Sequence, residues 1–362
     1  MPRPIGEIQN IRLTADRWKL IAIELSMFDE ILPRLLQRRD LSASEAEEVF
    51  LEVMGGQLSP VQIAALLVAL RTKGETVDEI TGAARAMRSN ALRVDLDGLE
   101  AVDTCGTGGD RSHTFNISTT AAFVVAGAGL PVAKHGNKGV SSKCGSADVL
   151  QAVGVNLDLT PEQMAACVHE VGLGFLFAPL LHKAMKHAAP VRAELRTRTI
   201  FNLLGPLTNP ARVPYQVIGV FDGGWVEPVG RVLAHLGCRH AFVVHGGDGI
   251  DEATLTDRTY VAEVANGQVS ARVLTPEGVG LPRYRPEDLK GGEPAENAAI
   301  LRAVLAGEKG PHRDVVLLNA ALALVAGERA ADIPTGIAQA AESIDSGRAA
   351  TVLDRLVELT NR

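Results

Sequence analysis

Apolar positions recur three and four residues apart from Met27 onward. Phe28, Ile31, Leu32 and Leu35 would share one face of a helix. Three further helices follow, each with its own start signal. Ser42-Ala43-Ser44-Glu45 is a capping box ahead of Ala46 to Met54, and Gly55-Gly56 ends that run. Ser59-Pro60 places a cap and a first-turn proline before Val61 to Arg71, which Gly74 closes. Thr76-Val77-Asp78-Glu79 opens another helix, to about Met87. The stretch Ile63 to Leu70 is apolar nearly all round. A helix of that kind needs cover on most sides, from a second domain or a second subunit.

Near Leu92 the pattern changes to alternating strands and helices. Strands are expected at Ala101 to Thr104, Pro131 to Lys134, Val155 to Leu157, Tyr215 to Val220, Ala241 to His245 and Tyr260 to Val264. Thr160-Pro161-Glu162-Gln163 is a capped helix start between two of them. This alternation predicts an α/β domain with a mostly parallel central sheet and helices on both faces. A small all-helical N-terminal domain over 27–92 and a large α/β domain over 93–362 are the expected division. The basic segment 182–200 returns to the helical part as a crossing or hinge. The tail from Glu293 to Arg362 is helical and packs back on the sheet. Residues 1–26 carry an irregular pattern and are read as an extension and a candidate for disorder, with Met27 as an alternative start.

Composition narrows the class. At 362 residues the chain exceeds what one core usually serves. Aromatics are only 4%, so its cores must be aliphatic and alanine-rich. A net charge of -7 argues against general nucleic-acid binding. Cys105, Cys144, Cys167 and Cys238 form no Cys-x-x-Cys pair, which fits a reduced, cytoplasmic protein without a zinc site. No stretch reaches the length of a transmembrane helix, and Glu24 interrupts the only early apolar run.

The candidate chemistry lies at strand ends. Val102-Asp103-Thr104-Cys105-Gly106-Thr107-Gly108-Gly109-Asp110 runs from a strand into three glycines, and a helix restarts at Asn116 to Thr120. Glycines turn backbone N–H groups toward a ligand, and a helix N-terminus adds partial positive charge. The loop lacks Gly-Lys-Ser/Thr, and Arg111 stands where a dinucleotide fingerprint needs glycine. Alone, it reads equally as an ordinary strand-to-helix turn. Two more loops join it: Lys134 to Ser142 with Gly145-Ser146-Ala147-Asp148, and His245 to Glu252. Ligands of open parallel sheets sit beyond such strand ends. Phosphate donors beside the pair Asp251-Glu252 imply a phosphorylated substrate with Mg²⁺.

Gly106-Thr107-Gly108-Gly109-Asp110, Asn116-Ile117-Ser118-Thr119, Lys134-His135-Gly136-Asn137, Gly145-Ser146-Ala147-Asp148, the run Arg198 to Pro210, and Gly249-Ile250-Asp251-Glu252 occur in that order. With them the chain, from about Met27 to its end, closely resembles the anthranilate phosphoribosyltransferase family of the tryptophan pathway. The resemblance implies a fold like that of the nucleoside phosphorylases and a homodimer formed through the helical domain. It implies transfer of phosphoribosyl from phosphoribosyl pyrophosphate to anthranilate. Gly106, Gly109, Asp110, Thr114, Asn116, Ile117, Ser118 and Thr119 would hold the donor. So would Lys134, His135, Gly136, Asn137, Lys138, Gly139, Val140, Ser141, Ser142 and Ser146. Gly106, Asn137 and Arg192 would contact anthranilate, and Ser118, Asp251 and Glu252 would bind Mg²⁺, two ions per subunit. Lys138-Gly139 and Lys183 depart from the family's usual Arg-Ala and Pro, and both positions bear on the acceptor.

Other readings compete. A pyrimidine-nucleoside phosphorylase shares the architecture but needs no acidic metal pair. A non-catalytic, nucleic-acid-binding relative would be basic along its groove and would lose that pair. Cys105 invites a nucleophile role, but Asp103 beside it raises a thiol pKa, so packing is the expected role. His182 and His187 are five apart, which is no metal spacing, and Asp248 reads as a turn residue.

Overall fold

The structure is a computed structural model that describes residues 26–139 and 143–362. Four helices come first: α1 (Met27–Leu36), α2 (Ala43–Met54), α3 (Pro60–Lys73) and α4 (Val77–Asn90). The expected capping boxes at Ser42 and Thr76 form, and the expected cap at Ser59 is completed into a third box by Gln62; each of the three side chains accepts the backbone N–H three residues on. The extension read over residues 1–26 lies outside the described residues except for Ser26. Ser26 caps α1, and its hydroxyl donates to Glu52 at 2.6 Å.

The α/β part then runs β1 (Val102–Asp103), α5 (Ile117–Gly127), β2 (Val132–Gly136), α6 (Ser146–Ala152), α7 (Pro161–Val171), β3 (Leu173–Phe177), α8 (Ala178–Leu181), α9 (Ala189–Leu195) and α10 (Phe201–Leu207). It continues with β4 (Tyr215–Gly219), α11 (Val226–His235), β5 (His240–Gly246), β6 (Thr259–Ala265) and β7 (Gln268–Leu274). Four helices close the chain: α12 (Pro294–Leu305), α13 (Pro311–Ala326), α14 (Ile333–Asp345) and α15 (Arg348–Thr360). The sheet order is β3-β2-β1-β4-β5-β6-β7. The first five strands are parallel, and β6 and β7 are antiparallel. The order reverses at β1, which pairs Val102 with both Val132 and Tyr215. That reversal opens the crevice where ligands of such sheets bind.

Three strand readings need correction. Val155 to Leu157 is not a strand. Asn156 instead donates its backbone N–H and its side-chain amide to Thr360 at the end of α15, so the segment is pinned to a helix terminus. β3 and β7 were not expected. β7 is mostly exposed and lacks a clean apolar alternation, which is how an edge strand escapes a hydrophobic reading.

One core fills the face covered by α5, α6 and α12 to α15, with Phe123, Val217, Phe242 and Leu318 among its residues. The other face shares its core with the helical layer. Ile218, Val243 and Ala262 from the sheet, Leu204 from α10 and Leu233 from α11 belong to the same cluster as Phe50, Leu66 and Ile80 of the bundle. Ala188, Val191 and Ile200 of the returning segment lie in it too. As expected, α3 is covered on most sides, with Ile63, Leu66, Leu67, Ala69 and Leu70 buried; Val61, 78% exposed, and Val68, 43%, mark the side left open.

Candidate active site

The glycine loop leaves β1 under tight restraint. Thr107 donates its N–H to the Gly219 carbonyl (2.8 Å), and its hydroxyl accepts from Phe221 N–H (3.0 Å). Gly108 and Gly109 take left-handed φ of 67° and 77°, which glycine adopts without a steric penalty. Gly108 N–H donates to the Asp251 carboxylate at 2.6 Å. A side chain at Gly219 would bring its Cβ to 1.5 Å from the Asp251 carbonyl oxygen, so the approach of these two loops requires glycine there.

Helix α5 begins where this loop ends. Its cap, Asn116, makes no side-chain cap bond. The Asn116 amide instead donates to the Cys144 carbonyl and accepts from Asn297, bracing the second loop. Ser118 N–H, in the first turn, donates to the Glu252 carboxylate at 3.1 Å. Loops 134 and more residues apart in sequence therefore meet at one helix start.

The acidic cluster has three members, not two. Asp251 N–H donates to the Asp110 carboxylate at 3.3 Å, which brings Asp110 beside Asp251 and Glu252. Burial, Asp110 and Glu252 hold the Asp251 carboxyl well above its ordinary range. Burial pushes Glu252 up to about 7, against the opposing pull of Lys134 and Ser118. Crowded acidic oxygens of this kind are stabilised by a cation. Among the described residues no set of three or more His, Cys, Asp or Glu forms a ready cage for a metal. Mg²⁺ does not need one, since it commonly takes one or two carboxylates and completes its shell with water and substrate phosphate. The hard oxygen donors of Ser118, Asp251 and Glu252 fit that habit.

Beneath the loop lies a buried polar floor. Lys134 is 3% exposed, and its Nζ donates to the Thr104 carbonyl (2.6 Å) and hydroxyl (3.2 Å). Asp103 is fully buried and accepts from His135 N–H (3.1 Å) and Asn209 Nδ2 (2.8 Å). Burial raises Asp103 to about 6, with Lys134 pulling the other way. His135 therefore belongs to the floor rather than to an open phosphate loop: its N–H is used by Asp103, and its ring meets the Gly205 carbonyl at 3.1 Å. The His182 ring lies 5.1 Å away, and neither Nε2 has a partner among the described residues. Burial lowers His135 to about 3 and His182 to about 4.

The remaining expected residues fall into two groups. Asn137, Lys138 and Gly139 are exposed, while Gly136 is buried at the end of β2. Ser146 Oγ donates to the Asn137 carbonyl and so steadies that loop. Ile117 and Thr119 are buried in α5, so their side chains serve the core and only their backbone remains for a ligand. Thr114 makes an isolated bridge to Lys290. Val140, Ser141 and Ser142 lie outside the described residues. Arg192, on α9, is half-buried over the Phe201 ring at 5.1 Å. Its guanidinium has no acidic partner among the described residues, and burial lowers its pKa. Cys105 is inert: burial and Asp103 push its thiol up. Sequence reasoning missed Asp103 with Asn209, and it missed Arg198, which donates to the Gly109 carbonyl. Asn209 and Arg198 stand in the motif run 198–210, which was the available signal.

A helical bundle joined to a sheet whose reversal point carries an anion-ready loop and acidic oxygens defines a two-domain glycosyl transferase. Family models agree: residues 29–91 match the glycosyl transferase family helical bundle domain, and 98–350 match its a/b domain. Within that class the chain belongs to the anthranilate phosphoribosyltransferase family. The enzyme of that name from Symbiobacterium thermophilum is 55% identical over 332 residues, spanning 92% of this chain and 97% of the relative. That of Geotalea uraniireducens is 53% identical over 349 residues, spanning 92% and 100%. The crystal structure of anthranilate phosphoribosyltransferase from Thermus thermophilus superposes with a TM-score of 0.87 at 45% identity, covering 91% of this chain and 99% of that one. The Saccharomyces cerevisiae enzyme in complex with phosphoribosyl pyrophosphate and Mg gives 0.86 at 28% identity, covering 93% and 98%.

Proposed function

We propose that the chain transfers the phosphoribosyl group of phosphoribosyl pyrophosphate to the amine of anthranilate, releasing pyrophosphate. The carrying observation is the meeting of Gly108 N–H and Ser118 N–H with the adjacent carboxylates Asp251 and Glu252 at the sheet's reversal point. The amine attacks the anomeric carbon as the bond to pyrophosphate breaks, and the amine then sheds one proton. Negative charge grows on the leaving pyrophosphate. Gly109 and Asp110 carry N–H groups with no acceptor among the described residues, and these, with the α5 N-terminus, would stabilise that charge. Lys134 would supply positive charge from beneath. Two Mg²⁺ held through Ser118, Asp251 and Glu252 would neutralise pyrophosphate oxygens when bound. Arg192 would take the anthranilate carboxylate by a planar, charge-assisted pair, with Asn137 and the Gly106 backbone beside it. No side chain of the site suits covalent catalysis, so transfer is direct, with inversion.

The enzyme would work as a homodimer through the helical layer, where Leu36, Val61 and Val68 are exposed. Four free cysteines support a cytoplasmic setting, and among the described residues no helix is long and apolar enough to cross a membrane. The test is the decay of anthranilate fluorescence on adding phosphoribosyl pyrophosphate and Mg²⁺. Wild type should turn over, and Asp251→Asn with Glu252→Gln should slow it steeply and shift its Mg²⁺ dependence. Thymidine phosphorolysis without anthranilate turnover would overturn the reading.

A further inference from the structure

Arg198 lies in the connection between α9 and α10 and has no acidic partner among the described residues. Its guanidinium stacks on the Phe221 ring at 4.0 Å and donates to the Gly109 carbonyl. Phe221 is itself tied to the same loop, since its N–H donates to the Thr107 hydroxyl at 3.0 Å. Thr107, Phe221, Arg198 and Gly109 thus close a circuit whose two ends are both in the glycine loop.

The circuit matters because of what glycine permits. Two successive glycines can rotate the peptides around them at little steric cost. In a trans peptide the carbonyl and the following N–H point in opposite directions. Holding the Gly109 carbonyl toward Arg198 therefore turns the Asp110 N–H the other way, and that N–H has no acceptor among the described residues. If this peptide rotated over, a carbonyl oxygen would take the place of the donor and face an anion with negative partial charge.

We propose that Arg198 is a positioning residue: stacked on Phe221, it keeps the glycine loop in its anion-accepting arrangement without touching the substrate. The inference rests on the donor site proposed above. Arg198 is also six residues from Arg192 along one short helix and its exit, so the segment that would hold the acceptor also braces the donor loop.

Two measurements test this on the full-length protein. The first is calorimetric binding of inorganic pyrophosphate with Mg²⁺, which needs no turnover. The second is steady-state kinetics. Arg198→Gln should weaken pyrophosphate binding about tenfold or more and raise the phosphoribosyl pyrophosphate KM alike. Its kcat should fall less, and its anthranilate KM should hold. Phe221→Leu, remote from substrate, should act in the same direction, and the double variant should be no worse than Arg198→Gln alone. Hydrogen exchange should quicken in a peptide covering 104–112. If Arg198→Gln melts early, Arg198→Lys takes its place and should show the same pattern more weakly. Weakened binding in Arg198→Gln with none in Phe221→Leu would make Arg198 a direct ligand and overturn the proposal, as would unchanged binding in both. Wild type that binds pyrophosphate but fails to consume anthranilate would instead sink the functional reading and leave this one standing.

Discussion

Arg192 is a cation resting on an aromatic ring with no carboxylate beside it among the described residues. A half-buried guanidinium in that position favours an incoming planar anion. Arg192→Ala should raise the anthranilate KM by about 30- to 150-fold, the equivalent of about 2–3 kcal/mol for a charge-assisted pair, and leave donor binding nearly intact. An equal loss of donor affinity would make Arg192 a phosphate ligand. The buried imidazoles give a second prediction. His135 and His182 stay neutral in the fold down to about 3 and 4, whereas in the unfolded chain they take protons near 6.5. The unfolded state thus binds more protons below 6.5, and their stabilising contribution is lost as pH falls from 6.5 toward 4. His182→Asn should flatten the fall of Tm across that window, and an unchanged slope would refute the assignment. At this scale the sequence was uneven. Arg192 and Asp251 could be nominated from residue type alone, for the roles proposed above. The role of Asp103 could not be, because it depends on Asn209, 106 residues away.

Among the elements, the start of α4 carries more than a cap. Glu79 accepts from Thr76 N–H (2.9 Å) to complete the capping box, and also from Leu41 N–H (3.0 Å) in the connection between α1 and α2. The buried Lys73 ammonium, at the end of α3, lies 3.0 Å from it. One carboxylate therefore fastens α3 and α4 to the connection between α1 and α2. Thr76→Ala should cost about 1 kcal/mol, the usual worth of a cap. Glu79→Ala should cost about 2–3 kcal/mol, because it leaves the buried Leu41 N–H unpaired and leaves Lys73 to the exposed Asp40 carboxylate, 2.7 Å away. Denaturant titration of both variants decides this, and similar losses would reduce Glu79 to a simple cap. The helix starts were readable because a capping box is a local signal four residues long. β3 was not, because its partner β2 lies across two intervening helices, and β7 was not, because an exposed edge strand carries no clean apolar alternation.

For the molecule as a whole, the homodimer proposed above is tested at the exposed side of α3, where Val61 and Val68 lie. Val61→Glu with Val68→Glu should leave the fold intact and shift the particle from dimer to monomer in light scattering. A wild-type monomer would refute this reading of α3. The class of fold was visible in the change of pattern near Leu92. The joining of the helical layer to one sheet face was not, because no periodicity reports which element covers which.

That shared core governs how such chains can be recombined. The two halves are recognised separately, over 29–91 and 98–350, and a gene splice in the gap between them looks harmless. It is not, because Phe50, Leu66 and Ile80 pack in one cluster with Ala188, Phe201, Leu204, Val229 and Val243. A chimera that imports a relative's first ninety-odd residues alone would set foreign side chains against native ones across the whole seam. Blocks compatible with inheritance as units are discontinuous: the bundle travels with 188–207 and with the α11 face, or it does not travel well.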